Sequence, residues 1–193
     1  MTQTETDLAL ETRTALPDAL RVLLEQYPRE AWAQDPNFSG LIRFWLDRHL
    51  MFRRLLASMV SETEQTLDGA LEARVFGAHL SRYGSMFVGE LHGHHSIEDQ
   101  HYFPLLKSLD TRVSGGFDIL DRDHHAIDGH LAEFAESANL ALRGIAAGEA
   151  SKDNVATFLD HLRSVNVFLD RHLVDEEELV VPVLLKYAPA GLV

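Results

Sequence analysis

The stretch HGHHSIEDQHYFP, residues 92–104, decides the reading of the fold. Four of its thirteen residues are histidine, and Glu98 and Asp99 stand among them. At the α-helical period, His94 and Glu98 lie one turn apart on one face, about 6 Å along the axis. Apolar residues lead into them on that face. Phe76, Leu80, Tyr83, Phe87 and Leu91 recur at three- and four-residue steps and continue as His94, Glu98, His101 and Leu105. A stripe of this kind turns toward a core. Ionisable groups placed there cost several kcal/mol each unless they are paired or bound to a metal.

The arrangement recurs near the C-terminus. In HLVDEEELVVP, residues 172–182, the spacing His172-x3-Glu176-x5-Pro182 matches His94-x3-Glu98-x5-Pro104. Its stripe runs through Val155, Phe158, Leu162, Val165 and Leu169 to His172, Glu176, Leu179 and Val183. Two further stripes carry one histidine each. Phe38, Ile42, Trp45, Phe52, Leu56 and Met59 surround His49, and Phe117, Leu120, Ile127, Leu131 and Phe134 surround His124. His49 precedes His94 by 45 residues and His124 precedes His172 by 48, so the chain reads as two related helix pairs. Each pair offers one lone histidine and one His-x3-Glu, the two-fold arrangement that a carboxylate-bridged pair of cations requires.

Breaks fall near Leu67–Gly69, at Leu109–Gly116 (with the turn-forming run DTRVSGG) and at Gly148–Asp153, where Gly148 can close a helix and Ser151 open the next. Alternating strand patterns are absent. Short connections make neighbouring long helices antiparallel. The expected fold is all-α, an up-down-up-down four-helix bundle over residues 38–187. Residues 1–37 form an N-terminal extension with Pro17, Pro28 and Pro36 and a short helix from Asp18 to Gln26, and 188–193 form a tail.

Composition narrows the chemistry. The 193 residues suffice for one domain with a substantial core, and 46% apolar with 24% charged residues is ordinary globular composition. A net charge of −13 disfavours nucleic acid and anionic membrane as partners. Cysteine is absent, which excludes disulfides, thiolate metal sites and Cys nucleophiles. Histidine is abundant, at 11 residues, so a metal would be held by N and O ligands, which suits iron, manganese or zinc. No run is long enough to span a bilayer, and MTQTETDLALETRTALP, residues 1–17, lacks the features of a signal peptide, so a cytoplasmic protein is expected.

The four motifs together resemble the hemerythrin-like, or HHE cation-binding, family. HHSIEDQHYFP is similar to its second-helix motif and HLVDEEELVVP to its fourth; DHHAID (residues 123–128) resembles the third and WLDRHLMFRRLL (residues 45–56) the first. The likeness covers roughly residues 38–187. It implies a non-haem di-iron site joined by bridging carboxylates and an oxo or hydroxo group, with zinc or manganese as the lesser alternatives. Carried over residue by residue, it implies His49, His94, Glu98, His124, His172 and Glu176 as ligands, with Glu98 and Glu176 bridging. Oxygen-carrying members have a second third-helix histidine; the matching position here is Asp128, which puts reversible oxygen transport in doubt and leaves a ligand to be supplied elsewhere or a position open.

Neighbouring residues compete for these roles. His95 with Asp99 repeats the spacing of His94 with Glu98 one residue round, but the stripe favours the latter pair. By the same reasoning His124 is preferred to His125, and Glu176 to Glu177 by its offset from Pro182. His101, a heptad beyond His94, is a candidate seventh ligand or a group supporting one, and Asp128 is another such candidate. His79, His92, His95 and His130 are expected at the periphery. Two functional classes follow: a di-iron oxidoreductase acting on peroxide or a diatomic molecule, catalase-like if an enzyme, or a module that senses or stores oxygen, nitric oxide or iron without turnover. The sequence leaves the oligomeric state open.

Overall fold

The computed structural model describes residues 8–148 and 152–189; Ser151 and the end of the tail lie outside the described residues. Among the described residues the regular structure is helical: α1 (Gly40–Leu67), α2 (Ala73–Ile97), α3 (Phe103–Leu109), α4 (Ser114–Ala146) and α5 (Lys152–Tyr187). A π-helical turn, Glu98–Tyr102, joins α2 to α3, so one long rod runs from Ala73 to Leu109. Pro104 sits in the first turn of α3. It has no N–H to return to the carbonyl of Gln100, which favours the wider hydrogen-bonding pattern at that point.

The chain divides into two compact units, and each long rod contributes to both. Of the described residues, the first unit takes 8–50, 95–125 and 170–189. It therefore holds the start of α1, the end of α2 with α3, the start of α4 and the end of α5. Consecutive rods run in opposite directions, which is the up-down-up-down order that short connections demand. Its core is built from Ile42, Trp45, Phe103, Leu106, Phe117, Leu120, Leu179, Val183 and Leu184. Leu16, Leu23 and Trp32 belong to the same cluster, so residues from the expected extension are interior here.

The helix expected from Asp18 to Gln26 is only a 3-10 turn at Asp18–Leu20, followed by a second at Arg29–Gln34. A nine-residue segment is too short to hold α-helix on propensity alone, and tertiary contacts decide its path instead. Trp32 Nε1 donates to the Tyr27 carbonyl at 2.7 Å, and the Asn37 amide donates to the Leu185 carbonyl at 2.8 Å.

The second unit, residues 51–94 and 126–169, is packed around aromatic rings. Phe52, Phe87, Phe134, Phe158 and Phe76 follow one another in tilted and edge contacts, with successive centroids 5.5–6.4 Å apart. Gly69 and Gly148 both take φ of +75°, just beyond the ends of α1 and α4. This left-handed conformation closes a helix at little cost only for glycine.

Candidate metal centre

Four helices each turn a histidine inward, as their apolar stripes dictate. His49 of α1, His124 of α4 and His172 of α5 are buried, and His172 is followed one turn later by Glu176, also buried. On α2 the turn before Glu98 presents two adjacent histidines. One nitrogen of His94 lies within 4.8 Å of ligand atoms of His49, Glu98 and Glu176, and these atoms all lie that close to one another. His95, His124 and His172 form a second group by the same measure.

Both carboxylates face both groups. Glu176 directs Oε1 toward His49 Nε2 at 3.3 Å and Oε2 toward His172 Nε2 at 3.4 Å. Glu98, a member of the first group, brings Oε2 to 3.6 Å from His124 Nε2 in the second. The three imidazoles of the second group pack closely: His95 stacks on His124 with centroids 3.9 Å apart, and His172 meets His124 edge-on at 4.8 Å.

The other ring nitrogens are anchored. His49 Nδ1 donates to Glu177 Oε1 at 3.0 Å, His124 Nδ1 to Asp99 Oδ1 at 2.8 Å, and His172 Nδ1 to Asp123 Oδ2 at 3.3 Å. A carboxylate on Nδ1 fixes the proton there and leaves Nε2 with a lone pair. In all three rings Nε2, the atom that would bind a cation in place of a proton, is aimed at the Glu98–Glu176 pair. The Nε2 atoms of His124 and His172 make no hydrogen bond among the described residues. Trp45 Nε1 donates to Glu176 Oε1 and steadies that carboxylate.

Without cations these groups compete for protons. Burial, the neighbouring Glu176 and then Asp99 raise the Glu98 carboxyl well above its usual range. Burial opposes charging of His172, but Asp123 and Glu176 overcome it and lift the imidazole to about 9. His49 is raised in the same sense, against burial, by Glu176 and Glu177. Asp123 is lowered despite burial, by Arg13 and His172. Two acids and several imidazoles buried together, with their Nε2 and carboxylate oxygen atoms converging, suit cations in place of those shared protons. The sequence model of the hemerythrin HHE cation binding domain matches residues 40–184.

The chain belongs to that family. No curated protein and no solved structure matches it. Membership makes it a cation-binding helical domain, and no helix among the described residues is long and apolar enough to cross a membrane.

Within this HHE domain, the six residues read as ligands by resemblance are brought together: His49, His94, Glu98 and Glu176 in one group, His124 and His172 in the other. His101 and Asp128 belong to neither group, and both are exposed. The π turn uses an extra residue, so positions past Glu98 fall behind the α-helical phase and His101 leaves the stripe. His95 departs from the expectation in the opposite sense: it is buried, 4% exposed, and supplies the third imidazole of the second group. The adjacency of His94 and His95 was the available signal, because a helix lying between two groups reaches them with side chains about 100° apart. Asp99 and Glu177, the rivals of Glu98 and Glu176 on spacing, instead hold the Nδ1 atoms of His124 and His49.

Proposed function

We propose that this domain is a non-haem di-iron protein that binds or reacts with dioxygen, peroxide or nitric oxide. In this reading His49 and His94 would hold one iron and His95, His124 and His172 the other, with Glu98 and Glu176 facing both groups. The observation that carries it is the set of three carboxylate-anchored Nδ1 atoms, at 2.8–3.3 Å, whose partner Nε2 atoms converge on two buried glutamates. Protein groups outside a metal's own ligands usually serve to orient imidazoles in this way.

Bound iron would supply one-electron chemistry between its ferrous and ferric states, which zinc lacks. The chain's own residues do the rest. Glu98 and Glu176, both buried, would offset the charge of bound cations. Asp99, Asp123 and Glu177 hold the ring tautomers. Phe52, with its ring 5.4 Å from that of His94, and Phe103, 5.5 Å from His124, wall the groups with apolar surface and limit entry of water. His95 would supply the imidazole that α4 lacks at Asp128, for a donor set of five imidazoles and two carboxylates.

The test is anaerobic loading with Fe(II), metal analysis and an optical spectrum, followed by oxygen or hydrogen peroxide. Two irons per chain are expected. Sustained gas evolution from peroxide favours turnover, whereas an absorption change with oxygen that reverses on its removal favours a binding or sensing module. A chain that retains no iron overturns the proposal.

A further inference from the structure

The family match begins at residue 40, yet two arginines from residues before it reach the candidate centre. Arg13 is buried and lies between two acids of the first unit. Its Nε donates to Asp175 Oδ2 at 2.8 Å and its Nη1 to Asp123 Oδ1 at 2.7 Å, with Nη2 on the other oxygen of Asp123. Asp123 is the carboxylate that receives His172 Nδ1. Arg29 repeats the pattern: its Nη1 donates to Glu177 Oε2 at 2.6 Å, while Glu177 Oε1 receives His49 Nδ1. The two relays end on different groups, Arg29–Glu177–His49 on the first and Arg13–Asp123–His172 on the second.

A guanidinium that grips a carboxylate fixes its plane and keeps it ionised. The carboxylate then holds the imidazole in one tautomer and one orientation. The backbone around Arg13 is tied down too, since Leu16 N donates to Asp175 Oδ1 at 3.1 Å and Arg171 donates to the Thr14 carbonyl. Leu16, Leu23 and Trp32 anchor the segment in the core between and beyond the two arginines.

We propose that residues 8–37 are a working part of the metal centre, in which Arg13 and Arg29 are positioning residues that set cation affinity separately at the two groups. The proposal rests on the cation-binding reading of those groups. Arg21 provides an internal control. It comes from the same segment and pairs with Glu178 at 3.0 Å, an acid that lies in neither group.

The experiment titrates the full chain with Co(II), following the absorption of the bound ion, for the wild type and the Arg29→Gln, Arg13→Lys and Arg21→Gln variants, with metal-free melts of each. Groups that orient ligand histidines typically change metal affinity 10–100-fold when removed, which sets the expected size of the effect at about that range. Arg29→Gln should weaken one of the two Co(II) equivalents and Arg13→Lys the other, while Arg21→Gln binds as the wild type does. Arg29 is about half exposed, so its variant decides the matter if Arg13→Lys does not fold. Two tight equivalents in every folded variant would overturn the inference and leave the cation-binding reading standing. Equal weakening of both equivalents in step with a lower metal-free melting temperature would reduce the arginines to packing and overturn it as well. A wild type that binds no Co(II) would remove the reading itself, and this inference with it.

Discussion

Glu98→Gln should stabilise the metal-free chain and lose most or all of that advantage when metal is added. Glu98 is 1% exposed and faces Glu176 across the centre, so its charged form is costly in the metal-free protein. A buried carboxylate carries an effective penalty of several kcal/mol, part of which is relieved by taking up a proton. Glutamine keeps the volume and removes the charge, which should stabilise the metal-free chain at neutral pH by about 1–3 kcal/mol. For a chain of this size that is a rise in Tm of roughly 2–12 °C. The pH dependence has a definite sign. Unfolded Glu98 loses its proton near pH ~4.3, whereas the folded group holds it to higher pH. The wild type therefore loses stability as pH rises from there toward the folded value, and the variant lacks that loss. With cation present the balance shifts. At free metal about a thousand times Kd, binding adds about 4 kcal/mol, but a variant bound a hundredfold more weakly gains only about 1.4 kcal/mol. The gap in Tm should close or reverse. Thermal melts followed by circular dichroism, with chelator and then with Co(II), measure both limbs. A variant that melts below the wild type without metal, or that gains as much from Co(II), refutes the reasoning.

His95→Ala should lower the metal content from two equivalents toward one, whereas His101→Ala and Asp128→Ala should leave it unchanged; elemental analysis after Fe(II) loading decides, and a full complement in the His95 variant would exclude that residue as a ligand. Asp110 is held well below the usual carboxylate range by Arg112 against burial, with Tyr187 and Lys186 adding to the effect. Its contribution to stability is present above pH ~4 and is lost as pH falls toward the folded value, so the Tm deficit of Asp110→Asn should be constant above pH ~5 and narrow in stronger acid. A deficit that does not vary with pH would mean that the Asp110 charge does not stabilise the fold.

Periodicity made the helices and their buried faces legible. Every stripe residue from Ile42 to Phe52 that was read as core is buried, and so are His49, Glu98, His124, His172 and Glu176. Those positions follow from the helical repeat, which is local. The residues whose places differ from the periodic reading depend on departures from the repeat or on partners remote in sequence. His101 leaves the stripe because the π turn alters the phase after Glu98, and His95 lies off the stripe yet is buried because α2 serves two groups.

A helical cation-binding domain with imidazoles and carboxylates on its inner faces follows from the residue pattern alone, because side-chain pattern and helix geometry are coupled residue by residue. The division of the donors into two groups, the hold of Asp99, Asp123 and Glu177 on ring Nδ1 atoms, and the reach of Arg13 to Asp123 and of Arg29 to Glu177 come from packing in three dimensions. The Arg13–Asp175 pair spans 162 positions and Arg29–Glu177 spans 148. No periodic signal extends that far; such pairs form only when packing brings the segments together and burial makes an unpaired charge too costly to leave.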